Sequence, residues 1–285
     1  MPELPEVEVV RRGLDSHMVG RKIVSATVFH PRAARNQLGG GREIEANLEG
    51  LTVSAARRRG KFLWLELDDP ADQAPTGLAL LVHLGMSGQM LVKAPDAEPS
   101  RHLRARAELD DGNEVWFVDQ RTFGYWWLGE LVGGIPLKLT HIAPDLLEDS
   151  LDIPALAAVI KAKNTEIKRL LLNQEIVSGI GNIYADEMLW EAQIHPAQNA
   201  SRISLKRIIA LLESGVVVMT RALDQGGTSF DALYVNVEGE SGYFALSLNA
   251  YGRGGEPCPR CGTPITRTTL ANRGTHFCPQ CQRKR

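Results

Sequence analysis

The amino-terminal segment of the chain brings together residue types that can do covalent chemistry. Pro2 would carry a free secondary amine once Met1 is removed, and Glu3 and Glu6 place two carboxylates beside it. An N-terminal amine has a reference pKa of about 7.7–8.0, so part of it is unprotonated and nucleophilic near neutral pH. A carboxylate within reach can act as a general acid or base. The same residues also suit an ordinary capped helix start, so this segment alone leaves both interpretations open.

A helix is predicted directly behind this segment. Apolar residues recur at the three- and four-residue spacing of one helix face, namely at Val7, Val10, Leu14 and Met18. Pro5 suits the first helical turn, where a missing N–H has no partner to lose. The helix would therefore hold the amino terminus in a fixed place.

Four cysteines near the other end of the chain predict a metal site. Cys258, Cys261, Cys278 and Cys281 form two Cys-x-x-Cys pairs separated by 16 residues. Without a secretory signal, four clustered cysteines indicate metal rather than disulfides. Four thiolates close a tetrahedron around one Zn²⁺ and leave no open position, so the predicted zinc is structural. Arg273, between the two pairs, could contact phosphate.

Composition predicts an ordinary globular protein. The 285 residues are 44% hydrophobic and 23% charged, with a net charge of −2. No apolar run approaches the roughly 18 residues that span a bilayer, and no secretory signal is recognisable. We therefore expect a cytoplasmic protein without a membrane partner, and a monomer. Positive charge is nevertheless clustered, because residues 251–285 hold seven Lys or Arg and one acid, and Arg57–Arg59 precede Lys61.

Two types of periodicity divide the chain. Residues 1–130 contain short strands and turns, which predict a β-sandwich or barrel with the first helix packed against it. A glycine-rich loop is expected over 36–42. Residues 131–137 have the composition of a hinge, and 138–250 have helical periodicity around a Gly-bearing turn. Such a turn is typical of a helix–turn–helix DNA-binding unit, although a plain helical domain has the same pattern. Residues 251–285, which contain the four cysteines, form the predicted zinc finger.

Four segments together carry a resemblance to a known family: Pro2–Glu8, His83–Gly88, Gly179–Glu187 and Tyr251–Cys281. Over its whole length the chain resembles the bacterial formamidopyrimidine-DNA glycosylases of the formamidopyrimidine-DNA glycosylase/endonuclease VIII family. The resemblance implies an α+β fold of two domains. An N-terminal β-sandwich with flanking helices would be followed by a helix-two-turn-helix domain ending in a four-cysteine zinc-finger β-hairpin. Leu4, where the endonuclease VIII branch typically has Gly, favours the purine-directed branch.

The resemblance also implies a function. Members are bifunctional DNA glycosylases and abasic-site lyases of base excision repair, and the partner would be double-stranded DNA with 8-oxoguanine, formamidopyrimidines or abasic sites. Pro2 would attack C1′ of the damaged nucleotide and form a Schiff base, with Glu3 as general acid/base. Lys61 is linked by the family pattern to β-elimination and Arg273 to δ-elimination. Glu6 would position the sugar or base.

Further residues match the family's DNA contacts. Three of them would fill the gap left by an extruded base, and three would hold the DNA backbone. Thr122, between Arg121 and Phe123, departs from the basic residue often found at that position in the family. Residues 225–243 match a loop that closes over the lesion in the family. The two groups are Met86, Arg121 and Phe123, and Asn182, His102 and Lys163.

Several of these residues also have a purely structural interpretation. Met86 and Phe123 would otherwise be assigned to the core, His102 to a loop and Lys163 to a solvated helix face. Two other functions also remain open at this point. One is an endonuclease VIII-like specificity for oxidised pyrimidines, and the other is a zinc protein that binds damaged DNA without cutting it.

Overall fold

Residues 2–71, 74–228 and 235–284 are described in the computed structural model. Close contacts group them into two units. The first unit consists of Met1–Thr140 together with Gln225–Tyr243, and the second of His141–Asp224 together with Phe244–Arg285. Residues 225–243 therefore pack with the first unit although they follow the helical segment in sequence. The boundaries given above for the hinge and the three domains stay a prediction.

The first helix, α1, runs from Leu4 to Met18 and confirms the predicted apolar face. Val7, Val10, Leu14 and Met18 are all buried. Glu3 is the N-cap residue, and it forms a capping box with Glu6 that satisfies donors of the first turn. The start of α1 is thus fixed both by its apolar face and by its cap.

The rest of the first unit is a β-sandwich. Side chains of two antiparallel sheets meet in one hydrophobic core, to which α1 contributes. One sheet has the strand order β1-β6-β7-β5 and the other β2-β3-β4-β8-β9. The strands are β1 (Ile23–Val28), β2 (Thr52–Arg59), β3 (Phe62–Asp68), β4 (Pro75–His83), β5 (Gly88–Lys93), β6 (Leu103–Leu109), β7 (Glu114–Asp119), β8 (Tyr125–Val132) and β9 (Ile135–Pro136).

A second helix, α2 (Gly40–Leu48), corrects the expected loop over 36–42. Its start is capped by Glu43, whose carboxylate accepts the N–H of Gly39 at 2.6 Å. Its apolar face packs into the core through Ile44 and Leu48. Core packing and this cap outweigh the poor helix propensity of the adjacent glycines.

The second unit is built on helices, and its finger is a two-stranded hairpin. Asp152 caps the first helix of this unit by accepting the N–H of Ala155 at 2.9 Å. Lys163 does not lie on a helix, contrary to the sequence interpretation, but is exposed in the turn that follows. No helix among the described residues is long and apolar enough to cross a membrane. The elements are α3 (Ile153–Lys161), α4 (Ile167–Leu171), α5 (Asn182–Glu191), α6 (Leu205–Asp224), β10 (Thr266–Leu270) and β11 (Arg273–Phe277).

Helix α5 is the centre of the second unit. Every residue from Ile183 to Trp190 is buried, so the helix has no solvated face. Two of these residues are acidic, Asp186 and Glu187, and each is 1% exposed. Carboxylates buried in this way need partners, and these partners turn out to come from the finger and from α4.

Candidate active site and DNA-binding residues

The start of α1 holds the predicted catalytic residues in a buried cluster. Pro2, Glu3 and Glu6 are all buried. One carboxylate oxygen of Glu6 accepts the backbone N–H of Glu3 at 2.9 Å. Its other oxygen accepts the N–H and the hydroxyl of Thr228, at 2.8 and 2.7 Å. Glu6 thus joins the amino-terminal segment to the chain that follows α6.

A small cavity lies beside this cluster. Pro2 and Glu6 line it together with apolar and glycine residues, and its free volume is about 20 Å³. That is little more than one water molecule requires. The other lining residues are Val9, Val10, Leu84, Gly88, Gly226, Thr228 and Val235.

The loop predicted over 225–243 is attached to α1 at both of its described ends. Val237 is buried against Gly13, where an added Cβ would approach its side chain to 2.5 Å. Its carbonyl accepts the N–H of Val92 at 2.9 Å. Ser229 and Tyr234, which belong to the same predicted loop, lie outside the described residues.

Lys61 lies in the tight turn between β2 and β3. Arg59 pairs with Phe62 in the strand register, so Gly60 and Lys61 form a two-residue loop, and Gly60 takes a φ of 56°. The hairpin is tied to α1 because Arg58 bonds Glu8 at 3.0 Å.

Glu8 is the anchor of this contact. Burial raises the pKa of its carboxyl, but a hydrogen bond from Arg11 and the charge of Arg58 outweigh burial and hold the pKa below its usual value. Glu8 is therefore ionised at neutral pH and fixes the hairpin that carries Lys61.

His83 is a residue near Lys61 that the sequence reasoning did not select. Its ring lies between those of Phe62 and Tyr125, with centroids 4.8 and 5.4 Å away. Its Nδ1 atom is buried and has no hydrogen-bond partner among the described residues. Burial and the positive charges of Arg35 and Lys61 lower its pKa to about 4, although Asp119 acts in the opposite direction. His83 is accordingly neutral at pH 7.

The depressed pKa of His83 predicts a loss of stability in acid. The unfolded chain protonates this imidazole near 6.5 and the folded chain only near 4. Between these values the unfolded state binds more protons, so lowering the pH favours unfolding. From pH 7 to pH 5 His83 should contribute a loss of about 2 kcal/mol in unfolding free energy. Urea unfolding of the wild type and of His83→Phe at both pH values measures it. Equal pH dependence in the two proteins would refute the assignment.

Two loops bring the predicted wedge residues together. Met86 lies in the turn between β4 and β5, and Arg121 and Phe123 lie between β7 and β8. The turns touch at Gly85, whose φ is 65° and where an added Cβ would be 2.5 Å from the backbone of Phe123 and Gly124. No other residue type fits there.

Asp119 is the buried anchor of these loops. Its carboxylate accepts the hydroxyl of Ser87 at 2.5 Å and the backbone N–H groups of Arg121 and Gly124 at 3.2 and 2.7 Å. It is 0% exposed. Because one carboxylate serves both loops, the wedge residues have a common support. Sequence reasoning missed it, and the only local signal is an acid at the end of an apolar strand.

The outer face of the wedge is exposed. Phe123 is 41% exposed, which excludes the core interpretation, and the guanidinium of Arg121 lies 5.3 Å from the centre of its ring. Arg35 holds the loop from below by donating to the carbonyls of Phe123 and Gly124. Thr122 has a φ of 55°, which is strained for a β-branched residue.

His102 lies beside the same loop. The N–H of Asp119 donates to its carbonyl at 2.9 Å. Its ring nitrogens are approached by Arg101 and Arg104, at 3.0 and 3.2 Å. The structure therefore gathers His102 with the three wedge residues at one edge of the first unit.

In the second unit the structure joins Asn182 to the tip of the finger. Leu270 pairs with Arg273 across a two-residue turn, and Arg273 is exposed at the start of β11. Asn182, the first residue of α5, donates from Nδ2 to the carbonyl of Gly274 at 2.8 Å. Two of the predicted phosphate contacts of this unit, Asn182 and Arg273, are thus neighbours. Helix N-termini also favour anions.

The buried acids of α5 hold the finger and the residues that lead into it at two places. Glu187 accepts three backbone N–H groups, from Asn249, Ala250 and Tyr251, at 2.8–2.9 Å. Burial raises the pKa of Glu187 more than these bonds lower it. Asp186 accepts the N–H of His276 in β11 at 2.8 Å.

The four cysteines fit a zinc ion. Their sulfur atoms all lie within 4.8 Å of one another. Among the described residues, no other group of three or more His, Cys, Asp or Glu could hold a metal ion in this way. Tetrahedral Zn–S bonds of about 2.3 Å place sulfurs about 3.8 Å apart, so only a small adjustment is required. Burial raises the pKa of Cys258, but the indole N–H of Trp190 and two backbone N–H groups lower it below its usual value overall. These hydrogen bonds stabilise the thiolate of Cys258, whereas burial raises the pKa of Cys278 and of Cys281.

Three family models match successive parts of the chain. The N-terminal domain of formamidopyrimidine-DNA glycosylase matches residues 1–126, and the H2TH domain of the same enzyme matches 142–232. A zinc finger found in FPG and IleRS matches 255–283. The finger that contains the four clustered cysteines is therefore a structural zinc site.

Known proteins are similar over the full length. A formamidopyrimidine-DNA glycosylase of Corynebacterium efficiens is 80% identical, with 100% of both chains covered. One of Corynebacterium diphtheriae is 55% identical, with 99% of each covered. Among solved structures, a complex of Lactococcus lactis Fpg with DNA containing an abasic site has a TM-score of 0.85 at 33% identity, and covers 99% of this chain and 100% of that chain. MutM in complex with DNA containing carbocyclic 8-oxo-G gives the same values.

The chain belongs to the formamidopyrimidine-DNA glycosylase family. Its fold is the predicted one, a sandwich unit and a helical unit that ends in a zinc finger. As a member of this family it is a DNA glycosylase of base excision repair.

Proposed function

We propose that this protein is a bifunctional glycosylase and abasic-site lyase that excises oxidised purines from double-stranded DNA. The observation that carries the proposal is the buried cluster of Pro2, Glu3 and Glu6 at the capped start of α1. A secondary amine with a carboxylate beside it is the pair of groups that covalent catalysis with a general acid uses. We further propose that it acts as a monomer in the cytoplasm, where a bacterial chromosome lies.

The reaction starts at Pro2. Its nitrogen donates an electron pair to C1′ of the damaged nucleotide and loses its proton. The bond from C1′ to the base breaks, and the base leaves with the electron pair of that broken bond and takes up a proton. Glu3 protonates O4′, which opens the sugar and leaves an iminium between Pro2 and C1′. The iminium acidifies the C2′ proton, whose removal expels the 3′ phosphate by β-elimination. A second elimination expels the 5′ phosphate.

Charged residues of both units are assigned to the phosphates. Lys61, on the hairpin fixed by Glu8, assists β-elimination, and Arg273, at the finger tip, assists δ-elimination. The remaining contacts position the DNA without reading its sequence. They are Asn182, His102 and Lys163.

The lesion must leave the stack before its C1′ can be reached, which takes roughly a few kcal/mol. Met86, Arg121 and Phe123 fill the gap, and the guanidinium of Arg121 offers a fork of donors to the orphaned base. The cavity beside Pro2 is too small for a purine. Thr228 therefore has to withdraw from it, which frees the carboxylate of Glu6 to hold the sugar or base.

A borohydride trap tests this function. Protein with Met1 removed is incubated with an 8-oxoguanine duplex and borohydride, which should reduce the iminium to a stable adduct that peptide mass spectrometry locates at Pro2. A thymine-glycol duplex should react much more slowly, and an undamaged duplex should give no adduct. Absence of an adduct on the 8-oxoguanine duplex would overturn the enzyme assignment. Faster reaction on thymine glycol would overturn the purine specificity.

A further inference from the structure

Lys168 on α4 is a fully buried cation. Its ammonium bonds the carboxylate of Asp186 at 2.6 Å, and both side chains are 0% exposed. It also donates to the hydroxyl of Thr275 in β11 at 2.8 Å, and it lies 3.4 Å from the carbonyl of Gly274. One buried charge therefore connects α4, α5 and the finger hairpin.

Asp186 completes the connection from the other side. Its second carboxylate oxygen accepts the backbone N–H of His276 at 2.8 Å and lies 3.2 Å from the Nδ1 atom of the same residue. Thr275 and His276 are consecutive residues of β11. The Lys168–Asp186 pair is thus hydrogen-bonded to β11 at two adjacent positions.

These hydrogen bonds lie next to Arg273, the residue assigned to δ-elimination. Gly274 follows Arg273, and its carbonyl is approached by Asn182 at 2.8 Å as well as by Lys168. Only Gly274 lies between Arg273 and Thr275. The hairpin ends in a turn in which Ala271 and Asn272 both have positive φ.

A buried ion pair is a costly way to gain stability alone. Desolvation of two charges offsets much of their attraction, and apolar residues of similar volume often stabilise as well. What the pair adds is geometric specificity, because charge-assisted hydrogen bonds hold their donor and acceptor groups in defined positions. Here Lys168 donates to the hydroxyl of Thr275, and Asp186 accepts the backbone N–H of His276, so both bonds are made to β11.

We propose that Lys168 and Asp186 are positioning residues for Arg273, and that their ion pair sets the balance between δ- and β-elimination. The proposal rests on the proposed function, in which Arg273 assists the second elimination. The pair does not touch the reacting atoms. It places the guanidinium of Arg273, and with it Asn182, at the phosphates, where a displacement of about 1 Å is enough to reduce the rate strongly.

Two variants test the positioning. Lys168→Met removes the cation at similar length, and Thr275→Val removes one of its bonds without changing the volume. On a duplex with an abasic site, the ratio of 3′-phosphate product (δ) to 3′-unsaturated aldehyde (β) is measured on a sequencing gel. We expect the ratio to fall about tenfold or more in Lys168→Met and by a smaller factor in Thr275→Val. The amount of borohydride adduct per molecule should stay unchanged, because Pro2 lies in the other unit.

Controls separate positioning from stability. Lys161→Met removes a half-buried lysine that donates to the carbonyl of Ser201, and should leave the ratio unchanged. The double variant Lys168→Met with Asp186→Asn removes both charges. It should regain part of the thermal stability that the single variants lose, while its product ratio stays low. Zinc content, measured on each variant, must remain one per chain.

The outcomes are distinct. A ratio within twofold of wild type in both Lys168→Met and Thr275→Val, at full zinc content, would overturn the positioning role, and so would a ratio restored together with stability in the double variant. A failure of the proposed function looks different, because wild type itself would then give no adduct and no cleavage.

Discussion

Replacement of Glu3 by glutamine is expected to reduce base excision from an 8-oxoguanine duplex by about 10²–10⁴-fold, the usual range for loss of a general acid or base. Glutamine keeps the size of the side chain and its hydrogen-bonding oxygen. It cannot deliver a proton to O4′ as the sugar opens. Single-turnover excision rates measure the change.

The geometry indicates that this loss will be chemical and not structural. Glu3 caps α1, and a glutamine can still accept a backbone N–H there, so α1 should keep its start. Affinity for the damaged duplex should therefore change little, as fluorescence anisotropy would show. Glu49→Gln, an exposed carboxyl at the end of α2, is the matched control and should excise at the wild-type rate.

A substrate comparison narrows the role of Glu3. An abasic duplex needs no base removal, so Glu6→Gln, which alters the residue assigned to the sugar or base, should react nearly normally with it. Glu3→Gln should remain impaired on both substrates, because proton transfers continue after the base has left. Excision by Glu3→Gln within threefold of wild type would show that another group supplies the proton.

Local patterns explain which features the sequence predicted. The face of α1 follows from a spacing of three and four residues, and the zinc site from two Cys-x-x-Cys pairs, and both patterns are complete within a short stretch of chain. The hairpin around Lys61 is equally local. The wedge residues came from the family resemblance, because an isolated Met86 or Phe123 carries no signal of its own.

Contacts between distant residues explain what the sequence did not predict. Asp119 supports two loops through Ser87, 32 residues earlier, and Lys168 pairs with Asp186 on another helix, 18 residues later. Neither partner is visible from spacing, since an acid at a strand end or on a helix is usually solvated. Helix α2 was missed for the related reason that its stability comes from Ile44 and Leu48 in the core. No local pattern specifies the strand order of the two sheets.

Removal of zinc is expected to weaken binding to lesion-containing DNA by roughly a hundredfold. The hairpin that carries Arg273 has only a small apolar cluster beneath it, made of Trp190, Ala250, Ile265 and two of the cysteines. Folding of so small a unit depends on the metal. Loss of its fold would release Gly274 from Asn182 and so remove two phosphate contacts together, each worth about 1.5 kcal/mol, the lower end of the range for hydrogen bonds to charged groups.

The measurement needs a variant that keeps the metal and loses only the tip. Arg273→Ala should retain one zinc per chain and bind roughly tenfold more weakly, with a less steep salt dependence by about one unit. Chelated protein, with zinc loss verified by metal analysis, should bind more weakly than Arg273→Ala and should recover on addition of Zn²⁺. The first unit shares no ligand with the zinc site, so the signal of its buried tryptophans, Trp64, Trp116 and Trp126, should be unchanged by chelation. Undiminished DNA binding after complete zinc loss would mean that the finger's fold does not depend on the metal.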